Sequence, residues 1–350
     1  MSPEPNLPKT MKALVQKHEG YTTKHSAFTL EALEPYVEER EIAVPEPAEG
    51  QVVIDVTLAA VNPSDVMFIK GMYGQPRQKD RPAGFEGVGV VIAGNGAYAE
   101  GLIGKRVAFV AGPKGSGSWA EYALADAPTC VPLMDGVSDV DGAAMIVNPL
   151  TALAMFDIVR EEGEKAFIVT AGASQLCKLI MGVAKEEGFR PIAIVRRDDQ
   201  IPLLEKAGAA HVLKSSAADF SVKLKEVLGE EKPRILLDAV AGPLSADIFN
   251  AMPRRARWII YGKLDQELPT IREPGQMIFM HKRIEGFWLT EWLQKAQRET
   301  AAAAIMRAQQ NFATGAWSTD VTAKVPMSEA IDRLAGELAQ PNGKVFIDMS

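Results

Sequence analysis

"VTAGASQLCK", residues 169–178, closes one kind of structure and opens another. The residues leading into it, "AFIVT" (166–170), form a short apolar run suited to a buried strand. Beyond it, Leu176, Leu179, Ile180, Val183 and Ala184 recur at helical spacing and make one apolar stripe. Ala171, Gly172, Ala173 and Ser174, between strand and helix, are small enough for a tight turn. The alternation then repeats. Strands are expected at "PIAIV" (191–195), "HVL" (211–213), "RILLDAV" (234–240), "ARWIIYG" (256–262) and "RIEGFWL" (283–289), with room for a helix before each. Six such strands predict an α/β unit, a doubly wound six-stranded parallel sheet of the Rossmann type that binds dinucleotides.

Outside this array the texture changes. Upstream, short β-like runs alternate with Gly and Pro: "KALVQ" (12–16), "QVVIDVTLAAV" (51–61), "GVGVVIAG" (87–94), "KRVAFVAG" (105–112) and "SWAEYAL" (118–124). They predict an irregular antiparallel barrel. Downstream, a helix is expected over about 290–313, then a strand at 321–326, a helix carrying Met327, Ile331, Leu334 and Leu338, and the strand "GKVFIDM" (343–349). This tail is expected to rejoin the barrel. The domains are therefore residues 1–147 with 290–350, and residues 148–289.

Composition narrows the function. Thirty-eight basic and forty-five acidic residues give a net charge of -7, which argues against binding nucleic acid by charge. No apolar stretch is long enough to span a bilayer. The N-terminal "MSPEPNLPKTMK" lacks a signal core and reads as a loose arm, so a cytoplasmic location is expected. Two cysteines, Cys130 and Cys177, cannot make a four-cysteine zinc site. His18, His25, His211 and His281 stand alone, with no metal-ligand spacing, and are expected in solvated or structural roles. No metal is expected.

The first strand-to-helix turn of such a sheet takes the cofactor's pyrophosphate on free helix N–H groups. Ala171, Ser174, Gln175 and Leu176 are the candidates. GxGxxG is absent, with Gln175 and Cys177 where glycines are usual, so a purely structural turn stays open beside the phosphate-binding one. The second strand ends in "VRRDD" (195–199). A carboxylate there would bind the ribose hydroxyls of NAD; Arg196 and Arg197 suit a 2′-phosphate instead and point to NADP(H). The alternative is a solvated basic pair, with Asp198 and Asp199 serving a helix dipole.

Several motifs now stand in one order: "AAVNPSDVMFIKGMYG" (59–74), "GFEGVGVV" (84–91), "NPLTALAM" (148–155), "VRRDD", "GAAHVL" (208–213), "LLDAVAG" (236–242), "IEGFWL" (284–289) and "GKVFIDM". Together they resemble the zinc-free branch of the medium-chain dehydrogenase/reductase superfamily, with NADPH:quinone oxidoreductases and 2-enoyl thioester reductases nearest in look. The resemblance implies a GroES-like barrel as catalytic domain. It also explains "GFEG". In the zinc alcohol dehydrogenases the matching loop carries a His that binds the metal; here Phe85 stands in its place, and "NPSD" (62–65) has no sulfur for the expected Cys ligand. A phenyl ring cannot ligate a metal, so the loop reads as a turn into a barrel strand, with Glu86 a structural polar anchor.

What the resemblance implies for chemistry is hydride transfer to an electrophile that needs no metal: a quinone, an enone or an enoyl thioester. The developing oxyanion then needs a hydrogen-bond donor. Tyr73 matches a Tyr of both relatives and is the first catalytic candidate, the alternative being a ring that packs a Gly-flanked turn. Asn62 is the second; Asn-Pro is also ordinary turn chemistry. A second Tyr typical of quinone reductases is Met67 here, which weakens that subclass, and "GFWL" leans toward the thioester reductases. By the same resemblance Asn148, Thr151, Tyr261, Gly262, Phe287, Trp288 and Lys344 border the nicotinamide and ribose, or else serve core or interface. Arg77, Lys79 and Arg81 are candidates for the phosphates of a CoA thioester, or form a charged surface loop. Relatives dimerise through the sixth strand, so a homodimer is expected. A non-catalytic NADPH-binding sensor is the reading from another class.

Overall fold

The computed structural model describes residues 7–23, 29–112, 114–339 and 343–349. The first six residues of the expected N-terminal arm, and His25, lie outside the described residues. Packing divides the chain into two units, Met1–Val147 with Ile305–Ser350, and Asn148–Ala304. Residues 290–304, expected in the first unit, group with the second. The helical stretch there is two helices, Leu289–Lys295 and Arg298–Ala313, because the backbone turns extended at Ala296. The unit boundary falls inside the second of them.

In chain order the strands are β1 (Thr10–Gln16), β2 (Val37–Ala43), β3 (Gln51–Val61), β4 (Glu86–Gly94), β5 (Arg106–Val110), β6 (Tyr122–Asp126) and β7 (Cys130–Pro132). Then come β8 (Ala166–Val169), β9 (Arg190–Val195), β10 (His211–Lys214), β11 (Ile235–Asp238), β12 (Arg257–Ile260) and β13 (Arg283–Gly286). The last two are β14 (Val321–Pro326) and β15 (Lys344–Asp348).

The first unit is built around β3. One edge of β3 pairs with β4 almost throughout. The other edge is shared: β6 takes Gln51–Asp55 and β15 takes Leu58–Val61, both antiparallel. The full sheet order is β14-β15-β3-β4-β5-β7, with β1 and β2 a separate antiparallel pair. Its main core gathers Leu14, Ile69, Trp119, Leu334, Val345 and Ile347. The strand expected at 118–124 starts later, at Tyr122, because Ser118 and Trp119 turn inward against Gly84 and are fully buried.

The second unit is the expected parallel sheet, ordered β10-β9-β8-β11-β12-β13 with every pairing parallel. β8 and β11 are buried at every position, as strands covered on both faces must be. The direction of strand addition reverses between β8 and β11, and such a switch point opens a crevice beyond the strands' carboxyl ends. β13 is one of the sheet's two outer strands, with β10 at the other end, and most of its residues are exposed.

Candidate functional site

In the second unit the turn after β8 lies at that switch point. Ala171 holds φ 48°, left-handed for a residue with a Cβ. The Gly172 N–H donates to the Ile194 carbonyl at 3.0 Å, and a Cβ there would come within 2.9 Å of Ala193. Helix Gln175–Glu186 then begins, capped by Ser174, whose hydroxyl accepts from the Cys177 N–H at 3.3 Å. A helix start leaves N–H groups without intrahelical acceptors, and its dipole favours an anion. Leu176 is buried, so its side chain packs helix to sheet and only its backbone can serve a phosphate. Cys177, in place of a glycine, is buried with its thiol toward the Thr170 carbonyl (3.5 Å) and the Tyr261 hydroxyl (3.7 Å). Burial pushes both of those acids up. Neither is a poised nucleophile.

Arg196 and Arg197 follow β9 and are exposed. Arg197 donates to Asp199 at 3.1 Å, and Ser216, after β10, donates its hydroxyl to the Arg196 carbonyl at 3.2 Å. Lys214, which ends β10 in register with Val195, bonds Asp198 at 2.7 Å. Three cations thus end two neighbouring strands. Tyr261 and Gly262 follow β12; the Tyr261 N–H donates to the Asp238 carbonyl at 3.0 Å. Phe287 and Trp288 follow β13, with Trp288 heading helix Leu289–Lys295. Asn148 and Thr151 lie in the first turns of helix Val147–Glu162.

In the first unit, four polar side chains meet out of water. Asn62 heads helix Pro63–Ile69, and its own N–H donates to Asp65 Oδ2 at 2.7 Å. Its amide nitrogen donates to Glu86 Oε1 at 2.9 Å, and its amide oxygen accepts from the Lys344 ammonium. Lys344 stands 3.9 Å from Glu86. Glu86 Oε2 accepts from the N–H groups of Ile146 (3.2 Å) and Val147 (2.8 Å). All four side chains are buried. Burial first, then Glu86 nearby, raises the Asp65 carboxyl to about 7, against the lowering effect of its bonds to Asn62. Burial lowers the Lys344 ammonium, with Glu86 and Asp65 pulling it back. Asn62 and Lys344 are therefore committed to one another and to Glu86.

Tyr73 lies on an aromatic trio. Its ring centroid is 5.1 Å from that of Phe85 and 6.5 Å from that of Phe68, with Phe68 and Phe85 5.0 Å apart. Gly84, at φ 90°, makes the turn that delivers Phe85 and Glu86; a Cβ there would sit 2.3 Å from Trp119. Arg77 is buried and donates to the Gly20 carbonyl at 2.8 Å, and Arg81 is bonded to Gln78 and the Gly115 carbonyl. Both fasten the loop rather than wait for phosphate.

A metal does not fit these residues. Among the described residues no three His, Cys, Asp or Glu side chains are grouped to hold one. Phe85 offers only a ring, and Cys130 is buried, its thiol pushed up to about 12 by burial. Two features escaped the sequence: the Lys344–Asn62 bond, and the bonding around Asp238. Only the Asp in "LLDAVAG" hinted at the second.

Residues 48–135 match the family described as "Alcohol dehydrogenase GroES-like domain", and residues 176–307 the family described as "Zinc-binding dehydrogenase". A Mesorhizobium loti protein of known structure, described as a candidate NADPH:quinone reductase, is 62% identical with a TM-score of 0.94, over 98% of this chain and 99% of that one. A Bacillus thuringiensis structure with the same description is 21% identical with a TM-score of 0.82, over 97% of this chain and 99% of its own, which bears on fold alone. The mitochondrial enoyl-[acyl-carrier-protein] reductase of Bos taurus is 26% identical over 293 residues, 81% of this chain and 74% of that protein.

Proposed function

Because the chain belongs to the medium-chain dehydrogenase/reductase superfamily, in its quinone reductase and enoyl thioester reductase branch, we propose that it is an NADPH-dependent oxidoreductase reducing a quinone or an activated C=C bond. The observation that carries the metal-free reading is Phe85 packed against Tyr73, an aromatic ring where zinc relatives place a ligand.

When bound, the reduced nicotinamide supplies hydride. The Ala171–Ser174 turn and the N–H groups of Gln175 and Leu176 hold its pyrophosphate. Arg196 and Arg197 pair with its 2′-phosphate. Asn148, Thr151, Tyr261, Gly262, Phe287 and Trp288 are assigned to its ribose and ring. The Tyr73 hydroxyl donates to the oxygen of the acceptor as negative charge gathers there. Asn62 and Lys344 are assigned to support, since their polar atoms are already engaged with each other and with Glu86.

Steady-state NADPH oxidation with 9,10-phenanthrenequinone and with crotonyl-CoA tests the acceptor. Turnover of the quinone supports the first reading; turnover of the thioester alone moves it to an enoyl thioester reductase, which the likeness to the mitochondrial enzymes favours. Binding without turnover of any acceptor favours a sensor.

We also propose a homodimer in the cytoplasm. Among the described residues β13 keeps one unpaired edge, with Ile278, Phe279 and Ile284 exposed nearby, as a strand awaiting a partner would. Among the described residues no helix is long and apolar enough to cross a membrane. A monomeric mass at micromolar concentration overturns the dimer.

A further inference from the structure

Asp238 ends β11 and is completely buried. The parallel register sets Leu237 beside Val169, so the next pair across the switch point is Asp238 and Thr170. The Thr170 N–H donates to the Leu237 carbonyl at 3.1 Å and continues the ladder. The Thr170 hydroxyl donates to Asp238 Oδ1 and accepts from the Ala239 N–H at 2.9 Å.

Four other donors reach the same carboxyl group. The Val240 N–H (2.9 Å) and the Ser245 hydroxyl (3.0 Å) meet Oδ1; the Ala241 N–H (3.0 Å) and the Trp258 indole N–H (2.7 Å) meet Oδ2. One side chain thus fastens the end of β8, the loop after β11, the first turn of helix Pro243–Ala251, and β12.

That amount of bonding is placed where the backbone is strained. Ala171, directly after Thr170, has φ 48°, and Ala241, bonded to Asp238, has φ 52°. Left-handed residues with a Cβ persist where their surroundings over-determine them. On the far side of the turn the Gly172 N–H is held by Ile194. The turn is therefore pinned at both ends, and the direction in which helix Gln175–Glu186 presents its first N–H groups follows from those pins. An anion beneath an anion-binding crevice would otherwise repel its ligand. With five donors upon it, the carboxylate serves as a fixed hub of acceptors.

We propose that Thr170 and Asp238 are positioning residues for the dinucleotide: the bridge between them sets the shape of the phosphate turn, and cofactor affinity depends on it although the Asp238 carboxylate is buried beneath the crevice. This rests on the reading that NADPH binds there.

The test compares unaltered protein with Thr170→Val, Thr170→Ser and Asp238→Asn, reading Kd for NADPH by fluorescence titration and KM and kcat with a working acceptor. Thr170→Val keeps the volume and removes the hydroxyl. We expect it to raise Kd and KM for NADPH by about tenfold, with the loss falling on KM rather than kcat, and Thr170→Ser to restore both. Asp238→Asn, which turns an amide N–H toward donors, loses more. A folded Thr170→Val with unchanged Kd overturns the inference, as does a Thr170→Ser as weak as Thr170→Val. If Thr170→Val does not fold, Ser245→Ala decides: it removes one donor from Asp238 without changing any residue of the turn, so a rise of about twofold or more supports the inference and an unchanged Kd refutes it. No NADPH binding to unaltered protein overturns the cofactor reading and this one together; normal binding with indifferent variants overturns this one alone.

Discussion

The ammonium of Lys344, the first residue of β15, donates to the amide oxygen of Asn62, 282 positions earlier in the chain. Both side chains are buried, and Glu86 and Asp65 share their enclosure. Removing one member of a buried charged group strands the others without water. Lys344→Met is therefore expected to lower unfolding free energy by roughly 3–5 kcal/mol. Chemical denaturation measures this; a loss under about 1 kcal/mol would mean that the group closes up without its cation.

Asp65 makes stability depend on pH in a stated direction. Its carboxyl rises from 3.8 to about 7 on folding. The folded state thus holds a proton that the unfolded state releases. This contribution is complete below the unfolded value and is lost as pH rises through about 7. Denaturation at intervals from pH 4 to 8 should show stability falling faster in unaltered protein than in Asp65→Asn. Parallel curves would show that Asp65 does not titrate in this range.

Replacing both Arg196 and Arg197 by Ala is expected to raise KM for NADPH by roughly tenfold or more, at about 1.5–3 kcal/mol per lost charge-assisted bond, while KM for NADH changes little. Equal loss with both cofactors would place the 2′-phosphate elsewhere.

Tyr73→Phe keeps the ring against Phe68 and Phe85 and deletes only the hydroxyl. A donor to a developing oxyanion contributes on the order of 10²–10³ in rate. The expected result is a fall in kcat toward that size, with Kd for NADPH unchanged. Full activity in the variant would return Tyr73 to packing.

Legibility followed the physics of burial. β8 and β11 read as strands because a parallel strand covered on both faces needs an unbroken apolar run. β2, "VEEREIA", does not read as one, since among the described residues it pairs only with β1 and most of its side chains face water. Arg196 and Arg197 announce themselves through their place after the second strand of the array. Asn62 and Lys344 stood out only by family likeness, and their bond depends on β15 pairing with β3, which no local pattern encodes. Asp238 has the same difficulty: its donors Thr170, Ser245 and Trp258 are scattered along the chain.

The divided edge of β3 has a consequence for biosynthesis. β6 is translated soon after β3 and can occupy its half at once, but Leu58–Val61 must wait until the ribosome has made the entire nucleotide-binding unit and reached β15. Throughout that interval the nascent barrel carries a bare strand segment, able to pair with the wrong neighbour. The second unit is therefore synthesised as an insert while its host is still incomplete, and the five-residue β15 pairs with a segment of β3 made long before it.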